Sequence, residues 1–447
     1  MDKKQTLVQK RSYGQWLERD LQVNWHPCMP AKRFEQQKPW LIKSAKGVWL
    51  EGHDGQKVLD AISSWWCQSL GHGHEVVQSA IIDQLSQFSH VIFANTTHPN
   101  IIELSERLTQ KTNQQLSHVS FASDGSSAVE MAVKMAIHAQ RLKGQPQRTS
   151  LAALENAYHG ETILTLALSD CEEYRKPYDD LLPKVHRIRS IPYQSDIQSD
   201  PATGWWQPIK QSLDRQKDEL AAIIVEPVLQ GAGGMKLYHP SVLQKLRAWC
   251  DQHQVYLIFD EIMTGFGRTG KFFAYEYASD VQPDFMCLAK GLTSGTLPLS
   301  VMLTRQSIYD LFYGDHPDQA FLHSHTHSGN ALAVAVSLAV IKYMDQAHVL
   351  DQVMTVQKLL KRALNQLSAK WKSQLTNQRV LGAMAAFDIN CPAGSELAFK
   401  IGLQARNLGL LIRPLGSTIY LMPPFCITSS EIDQMMDLLD QSLSSVL

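Results

Sequence analysis

The sequence lacks the features that mark membrane, secreted and nucleic-acid-binding proteins. None of its apolar runs approaches the ~20 residues needed to cross a bilayer, and residues 1–20 are polar, without the apolar stretch of a signal peptide. Lys plus Arg number 42 and Asp plus Glu number 43, so the formal net charge of −1 gives no general attraction for nucleic acid or an anionic membrane. Any anionic ligand must therefore be held by a local site.

Cysteine is scarce in the arrangements that stabilise small secreted domains or bind metal. The seven cysteines are odd in number, widely spaced and without a C-x-x-C pair, so they indicate neither a disulfide framework nor a zinc knuckle. Free cysteines are usually buried as small apolar residues. We therefore expect a cytoplasmic protein that binds neither membranes nor nucleic acid.

The rest of the composition is that of a globular protein. Of the 447 residues, 44% are hydrophobic and 19% are charged. A chain of this length can form two or three structural domains. No internal repeat or low-complexity tract is visible, which argues against solenoid architectures.

Short apolar runs alternate with helical patterns in the middle of the chain. One helical pattern covers residues 126–142, where Ala128, Met131 and Met135 are spaced for one face. Continuous apolar runs suit strands that are buried on both faces, as in a parallel sheet covered by helices. Such alternation predicts an α/β domain with right-handed crossovers. The apolar runs are 118–123, 221–228, 255–262, 284–289 and 299–304.

The pattern changes after about residue 330. A helical pattern at 331–344 leads into a charged helical stretch, and 379–389 and 410–424 read as antiparallel strands. At the other end, 48–63 predicts a hairpin around Asp54-Gly55. We therefore predict three parts: an N-terminal segment that packs with the small domain (1–60), a large α/β domain (61–335) and a small C-terminal α+β domain (336–447).

Charged residues follow three of the apolar runs. Glu226 follows AIIV, Asp260 follows YLIF and Lys290 follows FMCLA. In open α/β sheets, ligands bind outside the carboxyl ends of the strands, so these residues would converge on one crevice. Any one of them could be an ordinary surface charge at a strand end. Three together indicate a site, because each unpaired buried charge is costly.

The types of residue point to particular chemistry. Lys290, beside Gly291 and without a charged neighbour, can become a nucleophile for a carbonyl group if burial lowers its pKa. Asp260 suits a partner for a pyridine nitrogen, since a protonated ring acts as an electron sink. Gly125 and Ser126 begin a helix after a strand, where N–H groups favour an anion such as phosphate. Ser and Gly also cap ordinary helices, so this last motif alone leaves both interpretations open.

Three separated motifs carry a family resemblance. The runs 257–270 (LIFDEIMTGFGRTG), 287–300 (CLAKGLTSGTLPLS) and 223–235 (IIVEPVLQGAGGM) resemble class III aminotransferases of pyridoxal-phosphate (PLP) fold type I. The resemblance extends over essentially the whole chain. It implies a large domain with a mostly parallel seven-stranded sheet flanked by helices, a smaller α+β domain, pyridoxal 5′-phosphate as cofactor, and transfer of amino groups.

The resemblance also implies roles at the cofactor. Lys290 would hold the cofactor covalently and later move a proton, and Asp260 would pair with the pyridine nitrogen. Tyr158 would stack on the ring, and Gly125 and Ser126 would bind the phosphate.

Further roles follow from the same resemblance. Glu226 matches a carboxylate near the cofactor whose role stays open. Thr326 matches a threonine that reaches the phosphate of the neighbouring subunit's cofactor, which implies a homodimer with shared sites. Trp65 and Trp66 would line the substrate cleft, and Arg413 would bind a substrate carboxylate.

Within the family, the sequence is most similar to members that act in biotin biosynthesis. The segments that carry this similarity are 24–27 (NWHP), 62–74, 90–98 and 413–425. It implies 8-amino-7-oxononanoate as the amino acceptor and S-adenosylmethionine as the donor. Met263 supports this branch, because many ω-amino-acid transaminases carry Gln at that point.

Arg413 and the two tryptophans also have a physical rationale of their own. A guanidinium holds a carboxylate through two parallel hydrogen bonds, although most arginines form salt bridges to surface acids instead. Adjacent residues on a strand face opposite ways. If Trp65 and Trp66 lie on a strand, one of them can therefore pack in the core while the other faces a cleft.

Three departures from the family pattern leave the donor open. One is the order Ser123-Asp124-Gly125 before the phosphate-binding helix, where Asp-Ser-Gly is common. Cys28 stands where a tyrosine usually follows WHP, and Glu161 stands where an aspartate usually follows YHG. The alternatives are another class III transaminase that acts on an ω-amino acid or uses lysine as donor, a PLP isomerase or mutase, and a non-catalytic PLP-binding protein.

A histidine run offers a rival site. His323, His325 and His327 alternate, so on a strand they would share one face, which is a plausible transition-metal pattern. No cysteine or paired carboxylate lies nearby in sequence. We interpret the run as a polar loop around Thr326 and expect no metal.

Overall fold

The computed structural model of the protein describes residues 12–447. Residues 1–11, which begin both the predicted segment 1–60 and the polar N-terminal stretch, lie outside the described residues.

The strands of the described residues belong to four sheets. In chain order they are β1 (Ile42–Lys46), β2 (Trp49–Gly52), β3 (Lys57–Asp60), β4 (His118–Ala122), β5 (Ser150–Leu154), β6 (Val185–Ile188), β7 (Tyr193–Gln194), β8 (Leu220–Val225), β9 (Leu229–Gln230), β10 (Lys236–Tyr238), β11 (Tyr256–Asp260), β12 (Phe285–Leu288), β13 (Ser300–Thr304), β14 (Leu375–Leu381), β15 (Met384–Ile389), β16 (Leu410–Leu411) and β17 (Thr418–Leu421).

Helices separate most of these strands. They are α1 (Tyr13–Val23), α2 (Arg33–Gln36), α3 (Ser63–Trp66), α4 (Glu75–Leu85), α5 (Pro99–Lys111), α6 (Gly125–Leu142), α7 (Ile163–Leu168), α8 (Glu172–Arg175), α9 (Trp206–Asp214), α10 (Ser241–His253), α11 (Gln306–Phe312), α12 (Ala331–Gln346), α13 (Val349–Lys370), α14 (Leu397–Leu408) and α15 (Ser429–Ser444). Four 3-10 helices cover Lys176–Tyr178, Ala274–Ala278, Lys290–Thr293 and Pro317–Gln319.

The central sheet has seven strands in the order β4-β13-β12-β11-β8-β5-β6. The pairs from β12 through β6 are parallel, and β13 runs antiparallel to both of its neighbours. This confirms the predicted fold: a mostly parallel seven-stranded sheet flanked by helices.

The sheet is covered on both faces, which explains its continuous apolar strands. In β11, Leu257 and Phe259 enter the cluster that includes residues of α10, whereas Ile258 enters a second cluster formed with α6. Successive side chains of a strand point to opposite faces, so an apolar run without alternation needs cover on both.

The chain ends form two smaller sheets. The predicted hairpin around Asp54-Gly55 is confirmed, since β2 pairs with β3 antiparallel. In the C-terminal region β15 pairs antiparallel with β14 and β17, also as predicted. The expectation for 410–411 is wrong in direction: β16 pairs parallel with β3, because it continues the sheet β1-β2-β3 rather than the C-terminal one. The domain boundaries at residues 60 and 335 stay a prediction.

Within residues 12–447, no single helix is both long and apolar enough to cross a bilayer. Only α12 and α13 taken together pass on length and composition, and they are bent by 72° relative to one another.

Candidate active site

A cavity of about 420 Å³ opens at the carboxyl edge of the central sheet. Glu226 just after β8, Asp260 at the end of β11 and Lys290 just after β12 all line it. The structure therefore brings together the three charged residues that the sequence places after apolar strands. We call these three residues the floor of the cavity.

Lys290 points its amine at an aromatic ring rather than at an acid. Its Nζ lies 4.9 Å from the centroid of the Trp66 ring, and no ion pair to Lys290 occurs among residues 12–447. Burial around the amine lowers its pKa, and the charges of Asp260 and Glu226 oppose that shift. The backbone of Lys290 is left-handed, with φ of 45°, which a non-glycine residue adopts only under strain. The arrangement suits a lysine that acts as a nucleophile.

Asp260 is held by two donors. Its Oδ2 lies 2.8 Å from Nδ1 of His159, and its Oδ1 accepts from the backbone N–H of Ile262 at 3.1 Å. His159 is itself buried, and its Nε2 has no hydrogen-bond partner in the described part of the chain. The sequence analysis missed His159, although its place directly after Tyr158 was the available signal.

Glu226 is buried in the floor and joins two loops. Its Oε2 accepts from the backbone N–H of Tyr158 at 3.1 Å, and its Oε1 accepts from the N–H of Gly231 at 2.9 Å. Burial raises the pKa of Glu226 to about 7, and the nearby charge of Asp260 acts in the same direction. Glu226 therefore fixes the backbone of the aromatic residue predicted to stack on the cofactor.

Tyr158 closes one side of the cavity. Its hydroxyl donates to Glu161 at 2.8 Å, and burial, with the Glu161 contact, raises the pKa of the phenol well above its usual range. Two residues on, a Cβ added to Gly160 would lie 2.2 Å from Oγ of Ser126 and 2.7 Å from Oγ1 of Thr165. The Tyr158 loop thus lies directly on the start of α6, and only glycine allows that approach.

The start of α6 offers N–H groups to an anion. The Asp124 side chain caps the helix by accepting from the N–H of Ser127 at 3.0 Å. The first N–H groups of a helix have no acceptor within it, so those of Gly125 and Ser126 remain for a ligand. A Cβ on Gly125 would come within 3.0 Å of Cδ1 of Ile262. The absence of a side chain at Gly125 therefore lets the start of α6 pack directly against Ile262.

These features fit the predicted cofactor. The cavity holds a lysine amine without an acidic partner, an oriented carboxylate and an anion-binding turn, and Tyr158 and Ile262 both line it. Each corresponds to one part of pyridoxal phosphate: the aldehyde, the ring nitrogen, the phosphate and the ring faces. Met263, singled out in the sequence, lines the same cavity.

Trp65 and Arg413 do not line the cavity. Trp65 is the chain neighbour of the lining residue Trp66, and the guanidinium carbon of Arg413 lies 4.3 Å from the centroid of the Trp65 ring. No carboxylate pairs with Arg413 among residues 12–447. The alternative interpretation, a salt bridge to a surface acid, therefore does not hold within these residues. Trp65 is 44% exposed and Trp66 is 5% exposed. The two tryptophans do differ in exposure, but the predicted reason is wrong: they lie in the kinked turn α3, not on a strand.

Tyr174 is a second residue that the sequence analysis missed. Its hydroxyl donates to Sγ of Cys28 at 3.9 Å, and its ring packs edge-on to Tyr158 with centroids 6.3 Å apart. Burial and Cys28 raise the pKa of Tyr174 to about 12, and the charge of Arg413 opposes that shift. A phenol therefore stands next to the position where Cys28 lacks one. Trp65, Arg413, Tyr174 and Cys28 adjoin the lining residues Trp66 and Tyr158 without lining the cavity themselves, and we call these four residues the mouth of the cavity.

Thr326 and the histidine run lie outside the cavity. Thr326 is exposed, and its carbonyl oxygen is 2.9 Å from Nε2 of His90. The Nε2 atoms of His323 and His325 are 2.9 Å apart, yet the described residues contain no group of three or more metal-binding side chains. The role of Thr326 across a dimer stays a prediction.

Comparisons with known proteins agree with this geometry. Residues 31–443 match the family model of class III aminotransferases. The adenosylmethionine-8-amino-7-oxononanoate aminotransferase of Helicobacter pylori is 36% identical over 94% of this chain and 97% of its own length. That of Synechococcus elongatus is 36% identical over 93% and 98%.

Solved structures show the same relationship. The enzyme of that name from Methanocaldococcus jannaschii superposes with a TM-score of 0.90 at 28% identity, covering 97% of this chain and all of its own. A PLP-bound amine transaminase from an uncultivated Pseudomonas species gives 0.87 at 30% identity, covering 95% and 99%. The chain belongs to the class III aminotransferases, which are pyridoxal-phosphate enzymes.

Proposed function

We propose that the protein transfers an amino group to 8-amino-7-oxononanoate, giving 7,8-diaminononanoate, with S-adenosylmethionine as the donor. The observation that carries the acceptor assignment is the guanidinium of Arg413, stacked on Trp65 without a carboxylate partner among residues 12–447. An unpaired planar guanidinium is suited to bind the carboxylate at the far end of a long keto acid. The relatives from Helicobacter pylori and Synechococcus elongatus are named for this reaction.

The chain's own residues have distinct tasks in this reaction. Lys290 would hold the aldehyde carbon of the cofactor and then carry a proton at its Nζ. Asp260, oriented by His159, would keep a proton on the ring nitrogen. When bound, pyridoxal phosphate stabilises negative charge at the substrate carbon and stores the amino group between the half-reactions.

The remaining contacts fix orientation. The N–H groups of Gly125 and Ser126 would bind the phosphate, and Tyr158 and Ile262 would cover the two ring faces. Glu226 would keep Tyr158 in place through its backbone N–H. Holding the reacting groups in one geometry is worth a large part of the rate enhancement.

Separated half-reactions test this function. The holoenzyme should be yellow, lose its visible absorbance when S-adenosylmethionine alone is added, and regain it when 8-amino-7-oxononanoate follows. This order reflects a ping-pong reaction. If lysine bleaches the enzyme and S-adenosylmethionine does not, the donor assignment is wrong. If 8-amino-7-oxononanoate does not restore the absorbance, and 7,8-diaminononanoate does not bleach the yellow enzyme, the acceptor assignment is wrong.

The same proposal includes a homodimer in the cytoplasm. Thr326 is exposed. Leu322, four residues before it in the chain, is 86% exposed, and apolar Ile92 is 61% exposed. A partner subunit would cover such apolar residues. All seven cysteines are unpaired, which suits a reducing compartment. Sedimentation of the holoenzyme tests the dimer, and a monomer at micromolar concentration would contradict it.

A further inference from the structure

The turn that carries Trp65 and Trp66 has an unfavourable backbone. Within α3, φ is 49° at Ser63, 59° at Ser64 and 67° at Trp66. Residues with a Cβ rarely adopt this left-handed region, and each costs on the order of 1 kcal/mol or more. Three such residues in four positions require strong local contacts to keep the turn in this shape.

Asp60 provides most of those contacts. Its side chain is fully buried. Its Oδ1 accepts from the N–H groups of Ile62 at 3.2 Å and Ser64 at 2.9 Å. Its Oδ2 accepts from Oγ of Ser64 at 2.9 Å and contacts Nε2 of His72 at 2.9 Å. A buried carboxylate is tolerated when its oxygens are satisfied in this way.

Three contacts hold the turn from the opposite side. Oγ of Ser63 donates to the carbonyl oxygen of Met422 at 2.7 Å and accepts from Arg268 at 3.2 Å. Nε1 of Trp66 donates to the hydroxyl of Tyr420 at 3.0 Å. The turn is therefore fixed between Asp60 on one side and Arg268, Tyr420 and Met422 on the other.

This one turn serves both parts of the site. Trp66 faces the amine of Lys290 at the floor, and Trp65 supports the guanidinium of Arg413 at the mouth. Trp66 keeps its own bond to Tyr420, so loss of the Asp60 contacts to Ile62 and Ser64 should move Trp65 and the Arg413 guanidinium more than Trp66. Displacements of about 1 Å in positioning residues can cost about 100-fold in rate.

We propose that Asp60, assisted by His72, is a positioning residue that sets the spacing between the lysine amine and the carboxylate-binding guanidinium. Asp60 does not touch the substrate; it acts through the backbone of α3. The inference rests on the proposed function, because the spacing matters only for a long acceptor with a carboxylate at its far end.

Asp60→Asn in the holoenzyme tests the proposal, with Asp284→Asn as matched control. Asp284 is also buried and also accepts from a backbone N–H, that of Leu257 at 2.7 Å, but it lies at the start of β12, away from the tryptophans. We expect Asp60→Asn to raise KM for 8-amino-7-oxononanoate about tenfold, with the rate of donor bleaching within about twofold of the wild type. Asp284→Asn should lower Tm without changing either half-reaction.

Two results would overturn the proposal: a wild-type KM in Asp60→Asn, or equal loss in both half-reactions. If Asp60→Asn does not fold, Ser64→Ala and His72→Gln each remove one contact to Asp60 and should raise the same KM about threefold. An unchanged KM in both of these variants would also overturn the proposal.

Hydrogen exchange separates this proposal from the proposed function. Peptides covering 61–68 should exchange faster in Asp60→Ala than in wild type, whatever the substrate is, because the N–H groups of Ile62 and Ser64 lose the side-chain oxygen that accepts from both. Unchanged exchange would overturn the positioning role. Faster exchange in an enzyme that does not accept the keto acid would overturn only the proposed function.

Discussion

The floor and the mouth of the cavity are built in different ways. The floor residues follow successive strands of one sheet, and Asp260 and Glu226 are buried and bonded to N–H groups or to His159. The mouth combines an N-terminal loop, a strained turn, a short helix and a C-terminal loop, and Trp65 and Cys28 are exposed there. If the proposed roles are correct, the difference separates the two requirements of the enzyme: cofactor chemistry would depend on strand ends, and substrate choice on loops and short helical segments.

The strongest test of this contrast is removal of the amine at the floor. Lys290→Ala should abolish covalent attachment of the cofactor and lower transamination by about four orders of magnitude or more, because no other lysine of residues 12–447 lines the cavity. Borohydride reduction followed by mass spectrometry measures the adduct. Lys236→Ala is the matched control: burial also lowers the pKa of Lys236, but it bonds to Asn156 outside the cavity. A surviving adduct in Lys290→Ala would contradict the assignment.

At the mouth, the largest effect should come from the guanidinium. Arg413→Ala should raise KM for 8-amino-7-oxononanoate by up to about 100-fold, since a hydrogen bond to a charged group contributes about 1.5–3 kcal/mol. The rate of donor bleaching should change far less. Arg413→Lys keeps the charge and loses the two parallel hydrogen bonds, so its KM should lie between those of the wild type and Arg413→Ala. Equal damage to both half-reactions would remove Arg413 from its role at the acceptor.

The pH dependence of stability tests a residue of the floor, Glu226. Since the pKa of Glu226 is about 7 in the folded chain against an ordinary 4.5, its neutral form is favoured on folding. Its contribution is therefore full below about pH 4.5 and is lost as pH rises through about 7. Relative to Glu226→Gln, the wild-type apo-protein should lose on the order of 2 kcal/mol of unfolding free energy between about pH 5 and about pH 8.

Denaturant unfolding at each pH measures that difference. Glu261 is also buried, and burial raises its pKa to about 7. The difference in unfolding free energy between wild type and Glu261→Gln should therefore vary with pH in the same way. A difference between wild type and Glu226→Gln that does not vary with pH would show that Glu226 is ionised throughout.

The smallest effect concerns the phenol at the mouth. Tyr174→Phe should raise KM for the amino donor about fivefold, as expected for the loss of one neutral hydrogen bond of about 1 kcal/mol. Cys28→Ala should have a similar effect, and the double variant should be no worse than either, because the two residues form one contact. Additive losses would mean that Tyr174 and Cys28 act separately, and the acceptor half-reaction serves as the control.

The fold and the floor could be predicted from sequence because each depends on a local pattern. A strand buried on both faces must be apolar throughout, so β8, β11 and β12 are visible as runs, and the charges that end them are conspicuous. The direction of β16 could not be predicted, since a two-residue strand has no pattern that distinguishes one neighbouring sheet from another.

The mouth could be predicted only in part, and chiefly by resemblance. Trp65 and Arg413 were named for that reason, but nothing local indicates that α3 is a turn with three left-handed residues. Tyr174 and His159 were missed because their partners, Cys28 and Asp260, are distant in the chain. Contacts of this kind become visible only when the tertiary structure brings the segments together.

The stacking of Arg413 on Trp65 joins a segment near the amino end to one near the carboxyl end. A chimera that exchanged only one of these ends with another transaminase would carry half of a substrate site. The central part of the chain, with the floor, could stay constant while both ends were exchanged together. Altered substrate choice in this scaffold should therefore be engineered with paired terminal segments rather than with single substitutions around the lysine.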